Sequence, residues 1–557
     1  MPIPKSLFTI LTHHFSTTRK PPNLSKIPSK YRPQAIKEAQ KALTEYLHTT
    51  RNLPYTFAEH IAKNSMFSVS NLIAKLDFSP SDFFKKFQRL LRYHPVNEFE
   101  FFFESIGICY GELNGFLPAN KFFFSEDGTV LNAACALSGF GFPWTRLGKL
   151  YKDDVSIFSK SSEELKTKLC GFKGYGLSNV SVIGICLTFP HVLGGEDELG
   201  DEVDALFDDL KRVFVDFDLA SYIEGNVDAW YEVCRKIRLF YDLGCEKGTA
   251  GELMGRSKHV FLEYPEEVLA QKAEYFCRFG VKEDAGLLLL RLPDILKLDL
   301  ETPVISVLGF LKHFGLNSSE LRSIGQKYPY VLGRNKMANL PHVMKALNLH
   351  EWFFHRINSG NHQLLANYVL IDPEEDLDKE FGDGLEKIQS SRTPTHTMNK
   401  LKFLHGIGFG ENALTMKVLA HLHGTSIELQ ERFDCFLCVG VEFSKLCRMI
   451  GSTPKVMNQK PETIEQKVNF LNQEMGISLQ YLDVFPAFLC FNLENRIKPR
   501  YRFHVWLAEK GFCTKTYSIA SIIATSEKNF VARLSAIHPD APKWWSEHYS
   551  NKKPLGS

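Results

Sequence analysis

Nowhere does the sequence hold an apolar run near the roughly 18 residues needed to span a bilayer; its densest stretch, Gly286-Leu-Leu-Leu-Leu-Arg291, ends almost at once. A membrane-spanning helix is therefore excluded. A net field is also missing: 66 Lys and Arg stand against 64 Asp and Glu, a formal charge of +2, so any surface for a charged partner must be local. The twelve cysteines are scattered from Cys109 to Cys513 without a short, dense framework, which excludes a disulfide scaffold and fits free thiols in a reducing compartment. Sustained strand-like alternation is absent. No nucleophile, base and orienting group can be assembled from sequence proximity, and no motif asks for a cofactor; no enzymatic activity is expected.

What is present is apolar bulk, 44% hydrophobic and 13% aromatic residues, too much for a disordered chain. A single core rarely grows past about 250 to 300 residues, so 557 residues call for several domains or for core added by repetition.

Charge is distributed unevenly along the chain. Residues 1–37 hold seven cations (Lys5, Arg19, Lys20, Lys26, Lys30, Arg32, Lys37) and no acid, with Leu7, Ile10, Leu11 and Phe15 spaced for one helical face. This is the composition of an organelle transit peptide, mitochondrial in preference to chloroplast because Arg19-Lys20 follows an amphipathic start; the alternative is a retained basic arm. Residues 196–228 hold twelve acids against Lys211 and Arg212, a face that repels phosphate. A second acidic patch, Asp372 to Glu386, runs into Ser390-Ser-Arg-Thr-Pro-Thr-His396 and reads as an inserted loop. Residues 437–557 reverse the balance, with 16 basic and 10 acidic residues.

Self-similarity organises the rest. A Gly is followed fourteen residues later by Pro at Gly176–Pro190, Gly315–Pro329 and Gly440–Pro454. Between them the apolar residues recur at helical spacing, as Val180, Ile183 and Leu187 do, or Leu321, Ile324 and Tyr328. Ser178 and Asn317 stand where an N-cap belongs, Glu320 completes a capping box with Asn317, and the Pro ends the helix. Degenerate copies begin at Gly244, Gly280, Gly408 and Gly476, with Lys258 in the place of Pro in the first. The period is about 35 residues, and a second helix such as Met337 to Leu349 follows each Pro. The expected fold is all-α, a solenoid with two to three helices per repeat.

The pattern Gly-Leu-Ser, a ten-residue apolar-periodic run, Pro-x-φ-Leu, then a helix ending in Phe-Leu-x-x-x-Gly (Phe310-Leu311 before Gly315, Phe403-Leu404 before Gly408) resembles the mitochondrial transcription termination factor family, mTERF. Phe491-Asn-Leu-Glu-Asn-Arg-Ile-Lys-Pro-Arg-Tyr501 is similar to that family's last repeat, and the resemblance covers about residues 65–510. It implies a superhelical solenoid of mTERF-type repeats whose basic concave side holds nucleic acid, acting in transcription termination and transcript metabolism, more like the plant organellar branch. The organisation expected is a transit peptide at 1–37, degenerate helical repeats at 38–175, the repeat array at 176–510 with its acidic insertions, and a helical cap at 511–557. The partners it implies are double-stranded DNA or organellar RNA and proteins of the transcription machinery, with the chain a monomer.

Phosphate contacts need Lys and Arg from successive repeats. The densest cluster is Arg496, Lys498, Arg500 and Arg502 around Pro499; Lys455 and Lys460 follow Pro454, Arg334 and Lys336 follow Pro329, and Lys258 completes the candidate set. Such contacts confer affinity more than sequence specificity. A rival reading is a protein-interaction scaffold whose acidic 196–228 stretch holds a basic partner, and RNA binding for splicing uses the same cations. Cys435-x-x-Cys438 with Cys447 lacks the second half of a zinc site and reads as core cysteines; the glycines of Gly248 to Ser257 are misplaced for a phosphate loop and read as a poor repeat helix; Trp544-Trp545 reads as an end-cap.

Overall fold

The protein's structure, a computed structural model, describes residue 24 and residues 26–195, 200–280, 282–372, 375–513 and 517–549. The amphipathic start and Arg19-Lys20 lie outside the described residues. The rest of the expected leader does not all stay out of the fold: Ser29–Tyr31 and the helix Arg32–Thr49 begin before residue 37, and Ala35 is fully buried.

The described elements are α-helices joined by 3₁₀ and π turns, with one two-stranded antiparallel sheet, β1 (Val304–Ser306) and β2 (Arg334–Lys336). The chain forms two compact units, one running to Gln271 and including Glu283–Pro293, the other formed by Lys272–Lys282 and the chain from Asp294.

In the first unit the helix Arg32–Thr49 packs on Tyr55–Asn64 and Phe83–Tyr93. The helix Glu98–Ser105 buries Phe99, Phe101, Phe102 and Phe103. Two acids go in with them. Glu104 accepts from the Phe67 N–H, the Ser68 N–H and the Ser68 hydroxyl at the start of the helix Met66–Ile73, and Glu98 pairs with Arg51 and accepts from the Phe124 N–H. Burial raises both carboxyls above their ordinary value.

The repeat punctuation is physical. Gly176, Gly244, Gly280, Gly315, Gly408, Gly440 and Gly476 all have positive φ, the left-handed conformation that closes a helix. Gly107, Gly141 and Gly511 take it too, and so do Asn52, Asp218 and Asn348, the side chains that best tolerate it. The next N–H reaches back five residues, as from Ile108 to Phe103, Leu349 to Met344, Phe409 to Leu404 and Phe512 to Leu507. The same helix closure thus recurs outside 176–510 on both sides. At Gly408 an added Cβ would stand 2.8 Å from the His342 carbonyl oxygen, so close approach adds to the conformational demand.

At the other end of each first helix, the residue before Pro leaves the helical region because the ring disfavours it there: φ is −129° at Tyr328, −139° at Thr453 and −134° at Phe485. The Pro then opens a 3₁₀ turn, Pro329–Val331, Pro454–Asn458 or Pro486–Cys490, which leads to the second helix. Lys258 replaces proline at φ −53°, within proline's own range. The capping box of Asn317 with Glu320 is formed. The stretch read as an inserted loop at 372–396 is largely helical, with Lys379–Gln389 capped by Asp378 and buried through Phe381 and Ile388; a helix of that length needed only those two apolar anchors.

Candidate nucleic-acid interface

The nine candidate cations divide by what they touch. Arg500 is 2% exposed; its guanidinium donates to the Ile522, Ile523 and Thr525 carbonyls and pairs with Glu527 at 2.7 Å. Arg496 donates to the Ile523, Ala524 and Thr525 carbonyls and lies 4.5 Å over the Phe491 ring. Both close the C-terminal end of the helix Ile519–Ile523, where carbonyls lack helical partners. Burial, with Arg500 beside it, lowers the Arg496 pKa. The expectation of one four-cation cluster fails because the segment is a π turn, Leu493–Ile497, running into the helix Lys498–Glu509; alternate positions on a helix point to different sides. Lys498 pairs with Glu494, and Arg502 pairs with Glu474 at 2.8 Å, both at the surface.

Lys258 is likewise committed, donating to the Phe217 carbonyl at 2.8 Å over the Tyr222 ring. Arg334, on β2, pairs with Glu411 at 2.7 Å and bridges to it through the backbone. Lys336, Lys455 and Lys460 are exposed, and among the described residues none has a carboxylate within ion-pair reach. Lys336 and Lys460 enter the second helix of their repeats in the same extended backbone state, φ −75° and −73°.

A second set of cations escaped the sequence reading. Lys168, Lys236, Lys272, Lys400 and Arg432 each stand eight residues before a left-handed glycine. Lys467 stands nine before Gly476, the extra residue taken up by the π turn Phe470–Glu474. Each reaches from the second helix of one repeat to a carbonyl at the end of the short turn in the next: Gly195, Phe261, Leu298, Leu422, Met457 and Leu489 in order. Arg500 plays this part at the last junction. Burial lowers the pKa of Lys272 and Lys467. The fixed distance to the glycine was the signal available in the sequence.

The acidic stretch 196–228 is less uniform than its composition. Asp209 is fully buried and accepts from the Gly248 N–H at 2.7 Å, the Gly251 N–H at 2.8 Å and the Tyr241 hydroxyl at 3.1 Å. It holds the start of the helix Gly251–Arg256, the poor repeat helix of the sequence. Glu202 pairs with Lys247 and Asp228 with Arg146, while Glu196, Asp197 and Glu198 lie outside the described residues. Cys435 and Cys447 are buried but Cys438 is exposed, so the three do not share one core face. Trp545 packs on Phe503 and Phe530, and Trp544 on Phe512 and His538, as an end-cap does.

The mTERF family model matches residues 135–349 and 388–531. The match begins later and ends later than the span 65–510, and it skips 350–387, which includes Ile371–Asp372 and most of the helix Lys379–Gln389. Over 547 residues, 98% of each chain, the sequence is 58% identical to the transcription termination factor MTEF18, mitochondrial, of Arabidopsis thaliana. It is 27% identical over 219 residues, 39% of each chain, to the transcription termination factor MTERF8, chloroplastic, of the same plant. To MTERF15, mitochondrial, also of that plant, it is 27% identical over 124 residues, 22% of this chain and 28% of the relative.

Proposed function

Because the chain belongs to the mTERF family, we propose that it is a mitochondrial nucleic-acid-binding regulator of transcription termination and transcript levels that holds double-stranded DNA by its phosphates. The observation that carries this reading is 58% identity over 98% of both chains to a relative named a mitochondrial transcription termination factor. The contacts assigned to DNA are the exposed lysines Lys336, Lys455 and Lys460, with Arg502 and Lys498 exchanging surface glutamates for phosphate. Exposed ion pairs are worth about 0 to 1 kcal/mol, so the exchange costs little. The cations that join repeats have a structural part instead: they keep the array rigid so that lysines of separate repeats stay in register with a regular backbone. The protein acts as a monomer, with proteins of the transcription machinery as its other partners. A factor held on the template stands in the path of elongation, and phosphate contacts alone would give it affinity with little base preference.

The test is the variant Lys336→Ala with Lys455→Ala and Lys460→Ala. Each phosphate contact contributes about −0.9 to the log-log salt slope on duplex DNA, so removing three lowers its magnitude by about 2.7. An unchanged slope removes these lysines from the interface. Tighter binding to a matched RNA moves the function to splicing or transcript processing.

A further inference from the structure

The sheet that carries Lys336 has an acidic neighbour. β1 and β2 pair in the register Val304–Lys336, Ile305–Asn335 and Ser306–Arg334. Directly opposed residues of an antiparallel pair point to one face, so Val304, Ser306, Arg334 and Lys336 share a face and Ile305 and Asn335 share the other. Asn335 is 2% exposed and donates to the Phe409 carbonyl, which fixes its face as the inner one. Arg334 and Lys336 are on the outer.

The segment that the family match skips meets the free edge of this sheet. The Leu370 N–H donates to the Val304 carbonyl at 2.9 Å, on the side of β1 away from β2. The Ser306 hydroxyl donates to Asp376, which brings that carboxylate onto the face of the two cations. Asp376 is itself held in the left-handed region, φ +60°, and Asp378 accepts from the Phe381 N–H at 2.9 Å. Asp376, Asp378 and Glu411 line one open cleft with Gly333, next to Arg334. Asp372, Glu375 and Asp376 are exposed.

The backbone at Leu370 is two strand spacings from β2, about 10 Å, but Ser306 opposes Arg334 across a single spacing, about 5 Å. The Asp376 carboxylate held at Ser306 therefore stands within the screening length of about 8 Å at physiological ionic strength and acts on whatever approaches Arg334 and, beside it, Lys336. A phosphate backbone laid on β2 meets it on the same face.

We infer that the carboxylates of Asp372, Glu375, Asp376 and Asp378 are an internal competitor for polyanions at the β2 cations, lowering the affinity of this face for nucleic acid and confining tight binding to ligands that engage other repeats as well. The inference rests on the nucleic-acid reading above. It assigns the inserted segment a regulatory part in that binding: the array grips through several repeats or not at all, since a short polyanion landing on β2 alone is opposed by carboxylates already in place.

The test neutralises the four acids in the full chain: Asp372→Asn, Glu375→Gln, Asp376→Asn and Asp378→Asn. Asparagine tolerates positive φ and caps helices about as well as aspartate, so the fold is kept, and an unchanged thermal unfolding curve verifies it. A control variant converts Asp201, Asp208, Asp216 and Glu224 to their amides, the same change in net charge outside this segment. Binding to a 30-base-pair duplex is followed by anisotropy across a salt series. The expected result is an affinity gain of about tenfold or more at 0.1 M salt that fades as salt rises, is absent from the control, and is lost when Lys336→Ala is added. An equal gain in the control, or a gain that survives Lys336→Ala, overturns the inference. Parent binding without any gain overturns it alone. Silence of both parent and variant overturns the nucleic-acid reading and the inference with it, whereas binding that appears only in the variant supports both.

Discussion

Arg500 and His342 show how far burial changes what a side chain is for. From sequence Arg500 is one of four neighbouring cations; in the fold its donors meet the last carbonyls of a helix. His342 is half-buried, with its Nδ1 out of solvent and unpartnered and its ring stacked on Phe443. Burial, aided by Lys345 and Arg278, lowers its pKa from 6.5 to about 4. His191, His350, His405 and His504 are lowered as well, chiefly by burial. The unfolded chain takes up these protons below about pH 6.5 and the native chain does not, so the stability present above that pH is lost as pH falls toward 4, by up to about 3 kcal/mol for His342 alone. Glu98 and Glu104, raised by burial, act in the opposite sense on acidification. The urea midpoint should therefore fall most steeply between pH 6.5 and 5, and His342→Phe should flatten that fall. A midpoint independent of pH in this window contradicts the burial of these rings.

At the scale of elements, the helices with chemistry at both ends were legible: the fourteen-residue Gly-to-Pro spacing fixed a cap and a stop, and Asn317 with Glu320 forms the box its spacing implies. Repeats closed by Asn52, Asp218 or Asn348 were not legible from glycine alone, because the requirement is for a conformation that asparagine and aspartate also reach. The strands β1 and β2, three residues each, are too short for alternation to register, so from sequence Arg334 and Lys336 stand only as cations that follow Pro329. The junction cations look like any surface Lys until the carbonyl they meet is known. Their role predicts a stability effect. Lys467→Ala leaves the Leu489 carbonyl, 2.7 Å from the ammonium, without its donor, and an unsatisfied buried acceptor costs about 1 to 3 kcal/mol. Chemical denaturation should show a loss of that size, while DNA contacts measured below the transition stay unchanged. A variant as stable as the parent would mean that this junction is held by apolar packing alone.

Over the whole molecule a formal charge of +2 conceals a division of labour. Some cations join one repeat to the next, others remain exposed, and acids are partly internal, as at Asp209, and partly displayed, as at Asp372, Glu375 and Asp376. The nucleic-acid reading depends on the exposed cations outweighing the displayed acids along one bound backbone, which no single contact decides. The most direct measurement is an anisotropy titration of the chain with mitochondrial duplex DNA and with matched RNA across a salt series. The account predicts submicromolar duplex binding and a log-log slope of about −4 to −6, corresponding to roughly four to seven phosphates. Duplex binding absent at every salt concentration, or present without salt dependence, contradicts it.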